Sequence, residues 1–229
     1  MTTRTDPRIS VNKLSEYLQA TAGRRRRLVQ EQKTPATFQV NWYAFAQSVI
    51  PSFIIGGCSD ETILTAEIAR LGQITPANEY EESRNRTNGD AITAFLESYD
   101  QLGLEDYQFS ASHPNPQKLL VAGVQISVRP EVHVTATDSR TQNQYLGCLK
   151  LYFSKDTPLT DNSGQNTSTL LYQFANAYLT RPNMPAKQKA CLTIDVFGQK
   201  AFSAPHSTTR RIADITAACQ EINLLWQSI

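Results

Sequence analysis

From Gln117 to Lys155 the chain reads QKLLVAGVQISVRPEVHVTATDSRTQNQYLGCLKLYFSK. Val124, Ile126, Val128, Pro130, Val132 and Val134 fall on one parity. Gln125, Ser127, Arg129, Glu131, His133 and Thr135 fall on the other. Alternation of that length predicts extended strand with one buried face. Pro130 has no N–H to give to a ladder, so it marks an edge, a bend or a bulge. The polar run from Asp138 to Asn143 predicts a turn. In YLGCLKLYF the alternation resumes: Gly147, Leu149, Leu151 and Phe153 share one face, and Leu146, Cys148, Lys150 and Tyr152 share the other. Two adjacent strands of this kind bring Glu131 and Lys150 onto one sheet face.

Outside this stretch the spacing is helical. Ser10 is placed to cap a helix through Val11, Leu14, Tyr17 and Leu18. Trp42, Tyr43, Phe45, Ala46 and Ile50, within Phe38 to Phe53, suit a buried helix closed by Pro51 and Gly56-Gly57. Asp60 caps ETILTAEIARL, which Gly72 ends. The polar run from Ile74 to Asp90 predicts a loop, and Asp90 a cap for AITAFLESYDQL. A second polar loop is expected from Asp156 to Ser168, then a helix with Leu170, Leu171, Phe174 and Tyr178 inward. Next comes a hairpin turning at Gly198-Gln199. Ser207, Thr208 and Thr209 cap a last helix. The division expected is a helical N-terminal section, residues 1–89, and an α/β core, residues 90–229.

Hydrophobic residues make up 40% of the 229 and charged residues 19%, enough apolar content for a sizeable core. The net charge is +1, so any nucleic-acid surface must be local. The dense positive clusters are Arg24, Arg25, Arg26 and Arg27, and Arg210 with Arg211. They read either as phosphate contacts or as solvated helix surface paired with Glu31 and nearby acids. The four cysteines show no CxxC or finger spacing. The N-terminus lacks the apolar segment of a secretory signal, and no apolar run approaches about 18 residues. A cytoplasmic chain without a membrane partner is expected. No G-x-S-x-G, Walker loop, G-x-G-x-x-G or HExxH occurs.

The order from Asp90 to Ile229, helix, three strands, helix, strand pair, helix, resembles the core of the PD-(D/E)XK nuclease superfamily, the restriction-endonuclease-like fold. The opening ISVNKLSEYL is similar to the serine-rich start of the helical segment in RecB-like nucleases. The resemblance implies an α/β (α+β) fold with a central mixed sheet flanked by helices. It also implies an acid on the second core strand and an acid-x-lysine step on the third, holding Mg2+ or Mn2+ and a water for phosphodiester hydrolysis. Glu131 matches the first acid and Lys150 the lysine. Glu97, Asp100 or Asp195 is the candidate for a further ligand, giving Glu131, Glu97 and Asp195 as a metal set. Cys148 stands where the family has Asp or Glu, and a thiol does not suit magnesium. The glutamine-tyrosine motif of RecB-like members is not matched in YQFANAYL.

Three functions are consistent with these residues. One is a metal-dependent nuclease. The second is an inactive member of the same fold, binding nucleic acid or a protein partner within a larger assembly, of a mobile-element or defence type by analogy of fold. The third is a structural or interaction protein, including a homo-oligomer, with no nucleic-acid role. His133, two residues from Glu131 on the same parity, is either an accessory to the site or a hydrogen-bonded structural histidine.

Overall fold

The computed structural model describes residues 3–36 and 41–229; the Phe38 that opens the expected aromatic helix lies outside them. In chain order come β1 (Arg8–Ser10), α1 (Val11–Gln19), α2 (Ala22–Lys33), α3 (Ala46–Ile55), α4 (Thr62–Gln73) and α5 (Glu79–Leu96). A 3-10 turn at Tyr99–Gln101 leads to β2 (Gln108–Ala111), β3 (Leu119–Val121), β4 (Val124–Ser127), β5 (Val132–Thr137) and β6 (Gln144–Tyr152). The chain then makes α6 (Asp161–Tyr178), β7 (Ala186–Asp195), β8 (Lys200–Ser203) and α7 (Thr209–Ser228). The result is a mixed α/β fold with a central mixed sheet flanked by helices.

That sheet has the order β2-β5-β6-β7-β8. Only β6 and β7 run parallel; β2–β5, β5–β6 and β7–β8 are antiparallel. The parallel step requires a crossover, and α6 supplies it. One face carries Val132, Val134, Leu149, Leu151, Leu192 and Ile194 against Ile50, Phe53, Ala91, Ile92 and Phe95 of α3 and α5. The opposite face carries Leu146, Cys148 and Cys191 against Leu14 and Tyr17 of α1, Leu170 and Phe174 of α6, and Ile215 and Ile222 of α7.

The long alternation of residues 124–135 is not one strand. β4 belongs to a separate three-stranded sheet, β1-β4-β3, in which β1 pairs parallel to β4. Arg129 adopts φ +46°, and Pro130 follows it. This left-handed residue rotates the chain, so Val124, Ile126 and Val128 enter the α1–α6–α7 core, while Val132 and Val134 enter the α3–α5 core. Residues of one parity thus serve two cores. Period-two spacing cannot register such a rotation.

Three helix boundaries also differ from the sequence reading. The polar run at Ile74–Asp90 is mostly helix: α5 starts at Glu79 under the cap of Asn78, whose side chain accepts the Glu81 N–H at 2.9 Å. Asp90 lies inside α5, so the division expected at residues 89/90 falls mid-helix. α6 begins eight residues earlier than Thr169, capped by Thr160 in a reciprocal capping box with Ser163. Its first turns bury Ser163, Asn166, Thr167, Ser168 and Thr169. They are satisfied internally: Ser168 Oγ lies 2.8 Å from Thr193 Oγ1 and donates to Phe202 O, and Thr167 Oγ1 meets Ser15 Oγ at 2.7 Å. Tyr178, expected inward, is 40% exposed. The helix expected over Phe38–Phe53 begins only at Ala46, contains Pro51, and leaves Trp42 partly exposed.

The cap at Ser10 forms as expected, its Oγ accepting the Lys13 N–H; the N-cap of α4 is Glu61 rather than Asp60, whose Oδ1 accepts the Thr62 N–H in the turn that leads into the helix. The hairpin at Gly198-Gln199 also forms, between β7 and β8.

Candidate functional site

Glu131 and Lys150 meet on the α6 side of the sheet. Val132 pairs with Leu149, so Glu131 sits at the entry of β5, opposite the last turns of the β6 ladder. Its Oε1 lies 3.3 Å from Lys150 Nζ, and its Oε2 accepts the Leu151 N–H at 2.7 Å. Lys150 Nζ also donates to the Arg129 carbonyl at 2.8 Å. The two side chains are 12% and 11% exposed. Both carboxylate oxygens therefore hold donors from the protein, and the ammonium is shared between a carboxylate and a carbonyl. A buried charge tolerates desolvation only when paired and hydrogen-bonded in this way. As it stands, the pair clamps the Arg129–Pro130 kink to β6.

Cys148, two residues before Lys150, is fully buried. Its thiol faces the Leu171 carbonyl of α6 at 3.7 Å. Burial, and then neighbouring Cys191, push its pKa well above the ordinary thiol range. A neutral thiol in a dry core is not a ligand for a hard cation.

The metal set of Glu131, Glu97 and Asp195 is not assembled. Among the described residues, no group of three or more His, Cys, Asp or Glu side chains is placed to hold a metal ion. Glu97 ends α5, which covers the opposite sheet face, and it accepts from Gln199 Nε2 at 3.3 Å. Asp100 is exposed in the 3-10 turn beyond it. Asp195 shares the Lys150 face, being opposite Tyr152 on β6. Its carboxylate is spent on backbone: Oδ2 accepts the Leu159 N–H at 2.7 Å and Oδ1 the Gly198 N–H at 3.0 Å. It organises two turns. His133, opposite Cys148, is half-buried, and burial followed by Arg181 lowers its pKa.

The arginine run lies on α2 and is largely consumed by acids. Arg24 bridges Glu16 at 2.6 Å and Glu31 at 3.0 Å, Arg25 reaches Glu221 at 3.1 Å, and Arg27 reaches Glu31 at 3.3 Å. Arg25 also covers the Tyr17 ring. Only Arg26 makes no ion pair among the described residues. Arg211 is bound to α6 through Asn162, Gln165 and Asn166, and Arg210 lines a surface cavity of about 410 Å3 with Arg211 and Asp214. These contacts match the ion-paired reading of the run for three of its four arginines.

Sequence reasoning missed a different group of cations. Arg4, Arg8, Lys13, Lys118 and Arg129 come from the N-terminal arm, β1, α1, the approach to β3, and the kink after β4. They line one cavity of about 310 Å3 together with Ser10, Gln125 and Ser127. No charge run announces it, because each cation is contributed by a separate segment.

No described helix is long and apolar enough to cross a membrane. Neither a protein-family model nor a curated protein matches this chain.

Proposed function

We propose that this chain is a non-catalytic member of the restriction-endonuclease-like fold that acts as a binding subunit in a nucleic-acid-handling assembly. The order α5, then β2, β5 and β6, then α6, then β7 and β8, then α7 supports the fold assignment. With β3 and β4 set aside, since they belong to the other sheet, it is the helix, three strands, helix, strand pair, helix order that the resemblance implies. The adjoining Glu131 and Lys150 support it further.

The observation that carries the non-catalytic reading is the closed circuit around Glu131. To position a metal ion an acid needs solvent access and further oxygen ligands beside it, and Glu131, only 12% exposed, is already paired with a cation. Here one oxygen is held by Leu151 N–H and the other by Lys150. The companion position is the buried Cys148. A mobile-element or defence setting follows only by analogy of fold.

The test is a calorimetric manganese titration together with cleavage assays on single- and double-stranded DNA and RNA in manganese. The expected result is no saturable heat and no cleavage. Cleavage abolished by Glu131→Ala or Lys150→Ala overturns the reading and establishes a nuclease.

A further inference from the structure

We propose that the cavity ringed by Arg4, Arg8, Lys13, Lys118 and Arg129 is a phosphate-binding site. This deepens the reading above by naming the surface that meets nucleic acid, and rests on it for the source of the phosphate.

The lining contains five cations and no carboxylate. The chain as a whole is near balance, with 22 Lys and Arg against 21 Asp and Glu, so the excess is local to this cavity. Among the described residues, Arg4, Arg8, Lys118 and Arg129 make no ion pair, and Lys13 is bound to Glu16 at 2.7 Å. The contrast with α2 is direct, since three of its four arginines are neutralised.

Arg4 and Lys118 are anchored by hydrogen bonds. Arg4 Nη1 donates to Gln32 O at 3.1 Å, and the Arg4 N–H to Lys33 O at 2.9 Å. Lys118 Nζ donates to Gln125 Oε1 at 3.0 Å. Arg8 sits on β1, opposite Gln125 of β4. Burial and then repulsion from Arg8 depress the pKa of Arg4. Like charges held together without a counter-ion are an unfavourable arrangement, and a bound anion relieves it.

The chemistry of the lining selects phosphate. Guanidinium forks match the spacing of phosphate oxygens, and a lysine adds a point charge. Ser10 and Ser127 supply hydroxyls. Ser10 is also the N-cap of α1, so the positive end of that helix dipole adds to the field. The cavity is at the small end of ligand pockets, which run from about 300 to 1,000 Å3, a size suited to a phosphate with its sugar. Arg129 forms one rim, and its carbonyl is held by Lys150. The site therefore borders the Glu131–Lys150 pair.

The shared chemistry, phosphate, has two sources: a nucleic-acid backbone or a phosphorylated small molecule. The experiment uses orthophosphate, a nucleoside monophosphate, and short single-stranded and duplex oligonucleotides of DNA and RNA, at about 50 and about 200 mM salt. The proteins are the full chain and the double variant Arg8→Gln, Lys118→Gln. Arg140→Gln, on the β5–β6 turn, controls for charge, and Arg8→Lys tests the fork. Thermal unfolding of each variant confirms a folded protein.

The expected result is oligonucleotide binding that weakens steeply with salt. In the double variant it falls at least about tenfold and the salt slope drops by roughly 1.4 to 1.8, two phosphate contacts' worth. Arg140→Gln leaves it unchanged, and Arg8→Lys keeps the salt slope but binds more weakly, because the charge remains and the fork is lost. Oligonucleotide binding much tighter than mononucleotide binding assigns the backbone as the source. Comparable binding assigns a phosphorylated small molecule, and either supports the site. Wild-type protein that binds no phosphate probe at low salt, or a folded double variant that binds like wild type, overturns the proposal. Neither result bears on catalysis, and cleavage in the assay above leaves this site standing, so the two failures are distinguishable.

Discussion

Lys150 Nζ lies 2.8 Å from the carbonyl oxygen of Arg129, the left-handed residue at which the chain leaves one sheet for the other. The same ammonium lies 3.3 Å from Glu131. One lysine therefore joins a backbone kink, a buried carboxylate and the rim of a cationic cavity.

Removing the carboxylate should cost stability. Glu131→Ala leaves Lys150 buried beside a carbonyl alone and strips the Leu151 N–H of its acceptor. Breaking a buried pair from one side costs about 3 kcal/mol. Glu131→Gln keeps an acceptor for Leu151 and should cost less, about 1 to 2 kcal/mol. Urea unfolding of both variants measures this. Equal stability of wild type and Glu131→Ala would show that the pair is not the clamp described.

Restoring the family acid should not restore a metal site. In Cys148→Asp the carboxylate would face the Leu171 carbonyl in a core that excludes water. We expect a loss of about 3 kcal/mol or more and no manganese binding by calorimetry. A folded Cys148→Asp protein that binds manganese stoichiometrically would contradict the burial argument.

Arg129 separates stability from binding. Its φ of +46° carries a steric cost of about 1 kcal/mol that glycine escapes. Arg129→Gly should therefore be neutral or stabilising in urea unfolding while weakening phosphate binding. Loss of stability in this variant would mean that the side chain, not the backbone turn, is what the position requires.

The pH dependence has a predictable sign. His133 has its folded pKa lowered from 6.5 by burial and by Arg181. The unfolded chain then binds the proton more readily, so stability rises with pH across that window. Well above pH 6.5 the histidine is neutral in both states and imposes no penalty. As pH falls through 6.5 toward the depressed folded value, the penalty grows to its full size. His133→Gln should flatten the stability curve as pH falls through 6.5, measured by urea midpoints. An unchanged slope would place the titrating group elsewhere.

Backbone approach makes the last expectation. A Cβ on Gly164 would stand 2.3 Å from the Phe202 ring, where α6 lies against β8. Both partners are held by the Ser168–Phe202 hydrogen bond, so neither side yields easily. Gly164→Ala should cost about 2 kcal/mol or more, read by thermal unfolding. A tolerated alanine would show that α6 can lift from the sheet.

Much of the local structure was legible in the sequence. The parity of Leu146, Cys148 and Lys150 against Leu149 and Leu151 is the parity of the two faces of β6, because a strand reverses its side chains at every residue. For the same reason Glu131 and Lys150 had to share a face once β5 and β6 paired. Ser10 caps the helix it precedes, since capping depends on neighbours a few residues away.

The tertiary structure decided what those patterns could not. Whether Val128 and Val132 enter one core or two depends on the backbone angle of Arg129, which no spacing records. The polar face of α6 looks like loop in one dimension, and becomes helix because Thr193, Ser15 and the Phe202 carbonyl supply its hydrogen bonds. Asp195 and Glu131 are acids of equal standing in the sequence. Only their partners, Leu159, Gly198, Leu151 and Lys150, show that both carboxylates are spent on the protein itself. Three of the four arginines in the visible run are neutralised by Glu16, Glu31 and Glu221. The cationic cavity is built from five cations on separate segments, since an electrostatic site is defined by distance in space and sequence order carries no such distance.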